Sequence, residues 1–583
     1  MKHLLIFYKR HVFAILLTVV LLFCQAMTEL ALPGYMARVI DNGIIAGDMP
    51  YIYRTGLLMV VISVILVVCT VLVSLLAARI GARFSRDVRS ALFSRVMSFS
   101  NTEMETFSTA SLITRSTNDI QQVQMATIMI LRLAFFAPIM GVGALIKAFQ
   151  TSPGLTWTIA LALAAVLCVM AFAFFVTMPK FKIVQKMVDR LNLIMNERLT
   201  GILVIRAFNT ESYEETRFDD ANQDLTKLNL FVNRAMSVMM PALMLIMNLA
   251  CVLVVWAGAK AINLGGLQVG DMLAFMQYAM QVIMSFLFIT MMFIMIPRAL
   301  VSANRVGEVL ATRPSIVDAP EAAAAASAVS AQRVAPGTVE FRTVSFRYLD
   351  ADEDGLSDLT FTANPGQTTA FIGSTGSGKS TAINLIPRFY DVTEGEILVD
   401  GVNVKDYPQK ELRDKIGDVP QTGMLFSGTI ASNLRFGDND ASDETLEQAA
   451  RTAQAFDFIT EKPEGFEEPV AQGGTNVSGG QKQRLSIARA LVKQPEIFIF
   501  DDSFSALDFK TDAALRAALA QTAADATLII VAQRINTIKN AQQIIVLDEG
   551  RIAGVGAHQE LLAGCGVYRE IALSQLREEE LQQ

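Results

Sequence analysis

Residues 368–381 read TTAFIGSTGSGKST, and their types and spacing suit one kind of chemistry. The apolar run Thr369–Ile372 is patterned as a buried strand, and Gly373-x4-Gly378-Lys379-Ser380 follows it as a phosphate-binding loop. Glycines let backbone N–H groups turn inward around phosphates, and the start of the following helix adds positive potential. Lys379 is placed to reach β- and γ-phosphates, and Ser380 to hold Mg²⁺. Far downstream, Ile497–Phe500 is a four-residue apolar strand that ends at Asp501, the carboxylate expected to hold the same ion through water. These residues alone specify a nucleoside-triphosphate site.

Just ahead of that strand stands Val477-Ser478-Gly479-Gly480-Gln481-Lys482-Gln483-Arg484. VSGGQKQR is similar to the signature sequence of ABC transporters, with Val477 in place of the commoner Leu. With six membrane spans ahead of these motifs, essentially the whole chain resembles a half-transporter of the ABC exporter family. Even GILVIRAFNTESYEETRF, residues 201–218, resembles that family's intracellular coupling region.

The resemblance implies roles for the matching positions. ATP would lie on Gly373, Ser374, Thr375, Gly376, Ser377, Gly378, Lys379, Ser380 and Thr381, with Tyr348 stacked on adenine. Mg²⁺ would be held by Ser380, Gln421 and Asp501, and Gln421 would relay nucleotide state toward the membrane helices. Ser505–Asp508 would cross to a partner subunit. Ser478, Gly479, Gly480 and Gln481 would close over ATP held by the partner, offering a hydroxyl, N–H groups and a helix dipole to its γ-phosphate.

Two positions depart from the family. The residue after Asp501 is usually a Glu that polarises the attacking water, and here it is Asp502. One methylene less withdraws the carboxylate by about 1.5 Å, whereas a general base needs contact at ~2.6–3.2 Å. At the end of the strand Leu528–Ala532 the family places a histidine on the γ-phosphate, and here Gln533 stands. Glutamine donates a hydrogen bond but carries no charge. Gln472, where a Glu is commoner, adds a smaller change. An intact loop and signature beside two altered catalytic positions resembles the slowly hydrolysing half of a heterodimeric exporter. Its partner would then be a second half-transporter with the Glu and His in place.

The elements that must position these residues are legible in the composition. The chain has 583 residues, 52% hydrophobic and 18% charged, with a mean hydropathy of +0.40. The apolar content excludes a disordered chain, and a wholly soluble one is not expected, since soluble domains average roughly 25% charged residues. Five cysteines, four of them inside apolar runs (Cys24, Cys69, Cys168 and Cys251), give no disulfide framework. His3, His11 and His558 are too scattered to suggest a zinc site. Residues 1–310 hold 25 Lys and Arg against 17 Asp and Glu, while residues 311–583 hold 24 against 39. A basic apolar half joined to an acidic half reads as a membrane domain followed by a soluble one, and the acidic half argues against nucleic acid as partner.

The fold class expected is an α-helical membrane domain with long cytoplasmic extensions, followed by an α/β nucleotide-binding domain. Apolar runs near 12–32, 57–78, 127–149, 155–178, 236–262 and 272–297 each match the ~20 residues that cross a bilayer. The first is over-long for a cleaved signal peptide, and no small-residue cleavage site follows it. Basic residues cluster before the first run and after the second and fourth, which places both termini and the nucleotide domain in the cytoplasm, in a cell (inner or plasma) membrane. The long stretches Arg79–Arg132 and Phe181–Arg234 lack Pro between those ends and read as helical projections with a turn at each tip, near 101–109 and 208–215. The domains expected are 1–310 (membrane), 311–338 (linker, with Ala322–Ala326), 339–575 (nucleotide-binding) and 576–583 (tail).

Cargo is less sharply written. Glu29 lies in the first span, where an ionised carboxylate is costly and faces a cavity or a partner. Met272, Met276, Met280 and Met284 recur every four residues beside Gln277 and Gln281, which suits either packing or an adaptable apolar surface. A small amphipathic, drug-like or lipid-like substrate is expected, moving outward. The resemblance leaves open an importer on the same fold, or a protein that ATP gates without steady pumping.

Overall fold

The computed structural model describes residues 2–318, 335–349 and 351–576. Ala322–Ala326 and the tail beyond residue 576 lie outside them. The chain divides into two compact units, Met1–Met97 with Thr109–Thr312, and Ser98–Ser108 with Arg313–Gln583.

The first unit is helical. Among the described residues, six segments are long and apolar enough to cross a membrane: Val12–Ile44, Met49–Met97, Thr109–Thr151, Pro153–Thr200, Glu211–Asn263 and Val269–Ala311. The second contains one unbroken helix of 49 residues, about 70 Å long at the α-helical rise and more than twice the ~30 Å of a hydrocarbon core. Helices of 45 and 53 residues, Thr156–Thr200 and Glu211–Asn263, overshoot in the same way. Each apolar run therefore continues as a polar helix beyond bilayer depth.

Inside the membrane, small residues bring the helices together, because lipid offers no hydrophobic drive for association. Ala26, Ala144, Ala148, Ala274 and Ala279 share one buried cluster with Leu30, Phe275 and Tyr278. A Cβ on Gly143 would lie 2.4 Å from Leu30 Cδ1, and one on Gly141 2.5 Å from Ser285 Oγ. Further along, Asp119 is buried and accepts from Ser302 Oγ at 2.9 Å while pairing with Arg305 at 3.2 Å. Arg115 reaches Glu308 at 2.7 Å. Those pairs tie the third membrane-crossing segment to the sixth.

The methionine series packs for the most part. Met272 fills the space above Gly258, Met276 joins the buried cluster, and Cys251 Sγ lies 3.9 Å from Met280 Sδ. Met284 is exposed. Glu29 is half-buried and, among the described residues, forms no hydrogen bond or ion pair.

The two tips differ from simple turns. Asn101–Phe107 forms a helix opened by a Ser100/Glu103 capping box, and it belongs to the second unit. There Tyr390 Oη donates to Glu105 Oε1 at 2.7 Å. At the other tip, Ile202–Ala207 is a helix with no buried residue, followed by a short turn before Glu211.

The second unit holds two main sheets. The antiparallel one runs β2 (Leu356–Ala363), β1 (Val339–Phe346), β4 (Glu394–Val399), β5 (Val402–Asn403). The larger one places β3 (Thr368–Gly373) between β11 (Gln543–Asp548) and β10 (Thr527–Val531), with β9 (Ile497–Asp501) and β6 (Ile416–Val419) beyond β10 and antiparallel β12 (Arg551–Gly556) on the other edge. A short ribbon pairs β7 (Gly428–Thr429) with β8 (Pro469–Val470). β3, β9 and β10 are parallel neighbours whose apolar runs are covered on both faces, as central parallel strands require. Their carboxyl ends therefore emerge side by side, which brings residues 373, 501 and 532 to one edge.

Candidate nucleotide site

At that edge the chain leaves β3 through Gly373 and turns back through Gly376 (φ +85°) and Gly378 (φ +93°) into the helix Lys379–Leu385. Both glycines occupy left-handed backbone that side chains resist. A Cβ at Gly378 would also stand 2.5 Å from Leu356 Cδ2, and one at Gly373 2.1 Å from Leu547 O. The loop is thus a closed turn, with Ser377 N–H on Ser374 O at 3.2 Å.

Lys379 folds back across it. Its Nζ donates to Gly373 O at 3.0 Å, Ser374 O at 2.7 Å and Ser377 Oγ at 3.2 Å. Burial pulls its ammonium below the ordinary lysine range, against the raising pull of Asp501 and Asp502. Ser380 Oγ donates to Asp501 Oδ1 at 3.0 Å. Burial pushes the Asp501 carboxyl up, with the Ser380 bond acting the other way.

Asp502 follows in left-handed backbone, φ +45°, an unusual state for a residue with a side chain. Its N–H is fixed by Val531 O at 3.0 Å. The side chain is buried, and burial raises its pKa, with the nearby Ser505 and Gln421 side chains acting the other way. Gln533 Nε2 donates to Asp502 Oδ2 at 2.9 Å. The two departures noted in the sequence are therefore bonded to one another. The strand ahead of Gln533 ends at Val531, one residue sooner than expected.

Tyr348 Oη shares a hydrogen bond with Thr381 Oγ1 at 3.0 Å, and its ring meets Phe346 and Tyr390 edge-on. So Tyr348, the loop 373–381, Gln421, Asp501, Asp502 and Gln533 converge. Among the described residues, no hydrogen bond joins Ser478–Gln481 to that group. Ser478 instead caps the helix Gly479–Val492: its Oγ accepts from Gln481 N–H at 3.3 Å, and its own N–H donates to Gln481 Oε1 at 3.1 Å. The Gln481 side chain is thereby occupied, while the Ser478 hydroxyl proton and the N–H groups of Gly479 and Gly480 remain to donate outward. Gly480 lies against the 505–508 loop, where a Cβ would be 3.2 Å from Ala506 O.

One participant has no motif to announce it. Gln575, in the helix Gly566–Gln575, donates to Gln533 O at 2.8 Å and accepts from Ile535 N–H at 2.9 Å.

Comparison with known proteins agrees with this arrangement. The ABC transporter transmembrane region model matches residues 15–286, and the ABC transporter model matches residues 356–505. An uncharacterized ABC transporter ATP-binding protein of Mycobacterium tuberculosis is 40% identical over 94% of both chains. The YfiB ABC transporter ATP-binding protein of Bacillus subtilis is 37% identical over 97% of this chain and 96% of its own. The ATP-dependent lipid A-core flippase of Pseudomonas aeruginosa is 32% identical over 90% and 85%. Among solved structures, a bacterial Atm1-family ABC exporter with ATP bound superposes with a TM-score of 0.77 at 27% identity, over 98% of this chain and 99% of that one. With six membrane-crossing helices followed by an ATP-binding domain on one polypeptide, the chain belongs to the ABC transporter family as an exporter half-transporter.

Proposed function

We propose that this ATP-driven exporter subunit works as the slowly hydrolysing member of a heterodimer. One observation carries the reading: the Gln533 amide bonded to the Asp502 carboxylate at 2.9 Å. A base that is to polarise water needs a free oxygen within hydrogen-bond reach of it. Asp502 is one methylene shorter than glutamate, and its Oδ2 already accepts from Gln533 Nε2. The amide that stands where an imidazole would serve cannot bring positive charge to the γ-phosphate.

ATP binding, by contrast, has every part it needs. The loop 373–381 offers inward N–H groups, Lys379 exchanges its carbonyl partners for β- and γ-phosphate oxygens, and Tyr348 supplies an aromatic face for adenine. Ser380 Oγ, Asp501 Oδ1 and the Gln421 amide oxygen form an all-oxygen donor set, which suits Mg²⁺, and the Ser380–Asp501 bond brings two of those oxygens to one point. The ion, when bound, supplies charge neutralisation on the phosphates.

Two surfaces support a second chain. Among the described residues, no hydrogen bond joins Ser478–Gly480 to the loop 373–381, so these donors fit the γ-phosphate of a companion's ATP. The tip helix Ile202–Ala207 buries nothing and, with its flanks, exposes Leu203, Val204, Phe208 and Tyr213. The companion, with Glu and His in place, hydrolyses ATP against this chain's signature. Closure of the paired domains turns the membrane cavity outward. The basic flanks of the spans put both termini and the nucleotide domain in the cytoplasm. The lipid A-core flippases among the relatives, the exposed Met284 and the unpaired Glu29 support an amphipathic or lipid-like cargo.

The test is the steady-state ATPase of the purified chain in lipid vesicles. Alone it should turn over slowly, and Asp502→Glu with Gln533→His should raise turnover at least tenfold. Brisk hydrolysis by the unaltered chain alone would overturn the asymmetry.

A further inference from the structure

We infer that Gln575 is a positioning residue for the ATP site: its carboxamide clamps the backbone on either side of Arg534 and so holds the Gln533 side chain on Asp502. The inference rests on the ATPase reading above, and deepens it by adding a third residue to the pair.

The geometry is that of a peptide unit supplied by a side chain. Nε2 donates to Gln533 O at 2.8 Å, and Oε1 accepts from Ile535 N–H at 2.9 Å. Ile535 opens the short helix Ile535–Ile538, and N–H groups at a helix start have no intrahelical acceptor. Gln575 satisfies one of them. The same amide fixes the direction of the peptide that follows Gln533, and this direction aims the Gln533 side chain.

Both ends of the connection are anchored. On one side, Tyr568 and Ala572 of the Gly566–Gln575 helix are fully buried, and the Tyr568 hydroxyl is bonded to His558 Nδ1 at 2.7 Å. On the other, Ala532 N–H is held by Phe371 O, and Asp502 N–H by Val531 O. Between them the loop is also braced by Arg516, which donates to Asn536 O and Thr537 O, and by Arg534 over the Phe509 ring at 5.3 Å. Those contacts hold residues 534–537. Gln575 is the side chain that reaches the carbonyl of Gln533 itself. A continuous run of bonds therefore leads from the C-terminal helix through Gln533 to the carboxylate beside the Mg²⁺-binding position.

Gln575 is itself exposed, so substitutions there leave the core intact. In full-length protein carrying Asp502→Glu and Gln533→His, which keeps the clamped backbone carbonyl at position 533, Gln575→Ala should lower kcat about tenfold and change KM for ATP less than twofold. Gln575→Glu keeps the acceptor for Ile535 but loses the donor to the backbone carbonyl at position 533, so it should fall close to Gln575→Ala. Ser574→Ala, on the same helix without contact to the loop, should leave turnover unchanged. In the unaltered chain, Gln575→Ala should speed hydrogen exchange of the Ile535 amide at least fivefold.

An unchanged kcat with unchanged Ile535 exchange would overturn the clamp. So would a parallel drop in kcat, ATP affinity and melting temperature, which marks a purely structural residue. If the background double variant neither binds nor hydrolyses ATP, the failure belongs to the ATPase reading instead.

Discussion

Asp501 illustrates how much a single residue gives up for function. A carboxylate packed behind the nucleotide loop is poorly solvated, and burial raises its pKa above the ordinary 3.8. The native fold therefore prefers the protonated form. That preference stabilises the protein fully below pH ~3.8, and the benefit is lost as pH rises through the elevated value. Without nucleotide, the surroundings disfavour a charge at this position, as is common for groups poised for metal or substrate. Replacing it by the neutral isostere removes that cost. Asp501→Asn should raise the melting temperature of the nucleotide-free protein by about 2 °C at pH 7.5, and flatten its dependence on pH above the ordinary carboxylate range. Addition of Mg-ATP, which should stabilise the unaltered protein by several degrees, should then do little. Equal stabilisation of both proteins by Mg-ATP would show that Asp501 does not hold the ion.

Among the elements, the helix Gly479–Val492 has a start that serves two purposes, and they can be separated. Ser478 Oγ accepts from Gln481 N–H as a cap, worth about 1 kcal/mol. In the heterodimer proposed above, its hydroxyl proton is left to donate to the companion's γ-phosphate. Ser478→Ala removes both. Ser478→Asn keeps a side-chain oxygen that caps equally well, but loses the hydroxyl. Thermal melts of the full chain should show a small loss for Ser478→Ala and none for Ser478→Asn, while both lower ATP turnover with the companion present by more than tenfold. Melting and turnover falling together in both variants would reduce Ser478 to a cap.

The same elements show what could be read in advance. The strands ending at Gly373 and Asp501 were legible to within a residue, because an apolar run between a polar turn and a glycine or acid is unambiguous. The tip helix Asn101–Phe107 carries its own signal, Ser100 with Glu103 three residues on, where the sequence reading expects a turn. The Gln533–Asp502 bond joins positions that were both singled out, each as a separate loss. Gln575 was out of reach: it meets Gln533 across 42 residues of sequence, and an exposed glutamine near a helix end has no local mark. Local patterns specify strands, loops and caps; contacts made by the third dimension leave no such trace.

For the whole molecule, the projecting helices pose a question of cover. Ile202–Ala207 stands beyond bilayer depth with no residue buried, and Leu203, Val204, Phe208 and Tyr213 are exposed, Leu203 at 76%. Large exposed apolar clusters on a water-facing element mark contact sites. In the heterodimer proposed above, the companion's nucleotide domain covers this tip and is moved with it. Truncating a central apolar anchor of an interface commonly costs 2 kcal/mol or more, so a charge there should cost about thirtyfold or more in association. Leu203→Asp should therefore weaken pairing with the companion and abolish cargo-stimulated ATPase. ATP binding by this chain's own loop should stay within twofold, since the loop lies in the other unit. Co-purification of the two chains and fluorescent-nucleotide titration of the single chain measure these separately. If pairing and stimulated turnover both survive a buried charge at residue 203, the tip is not the point through which nucleotide closure reaches the membrane helices.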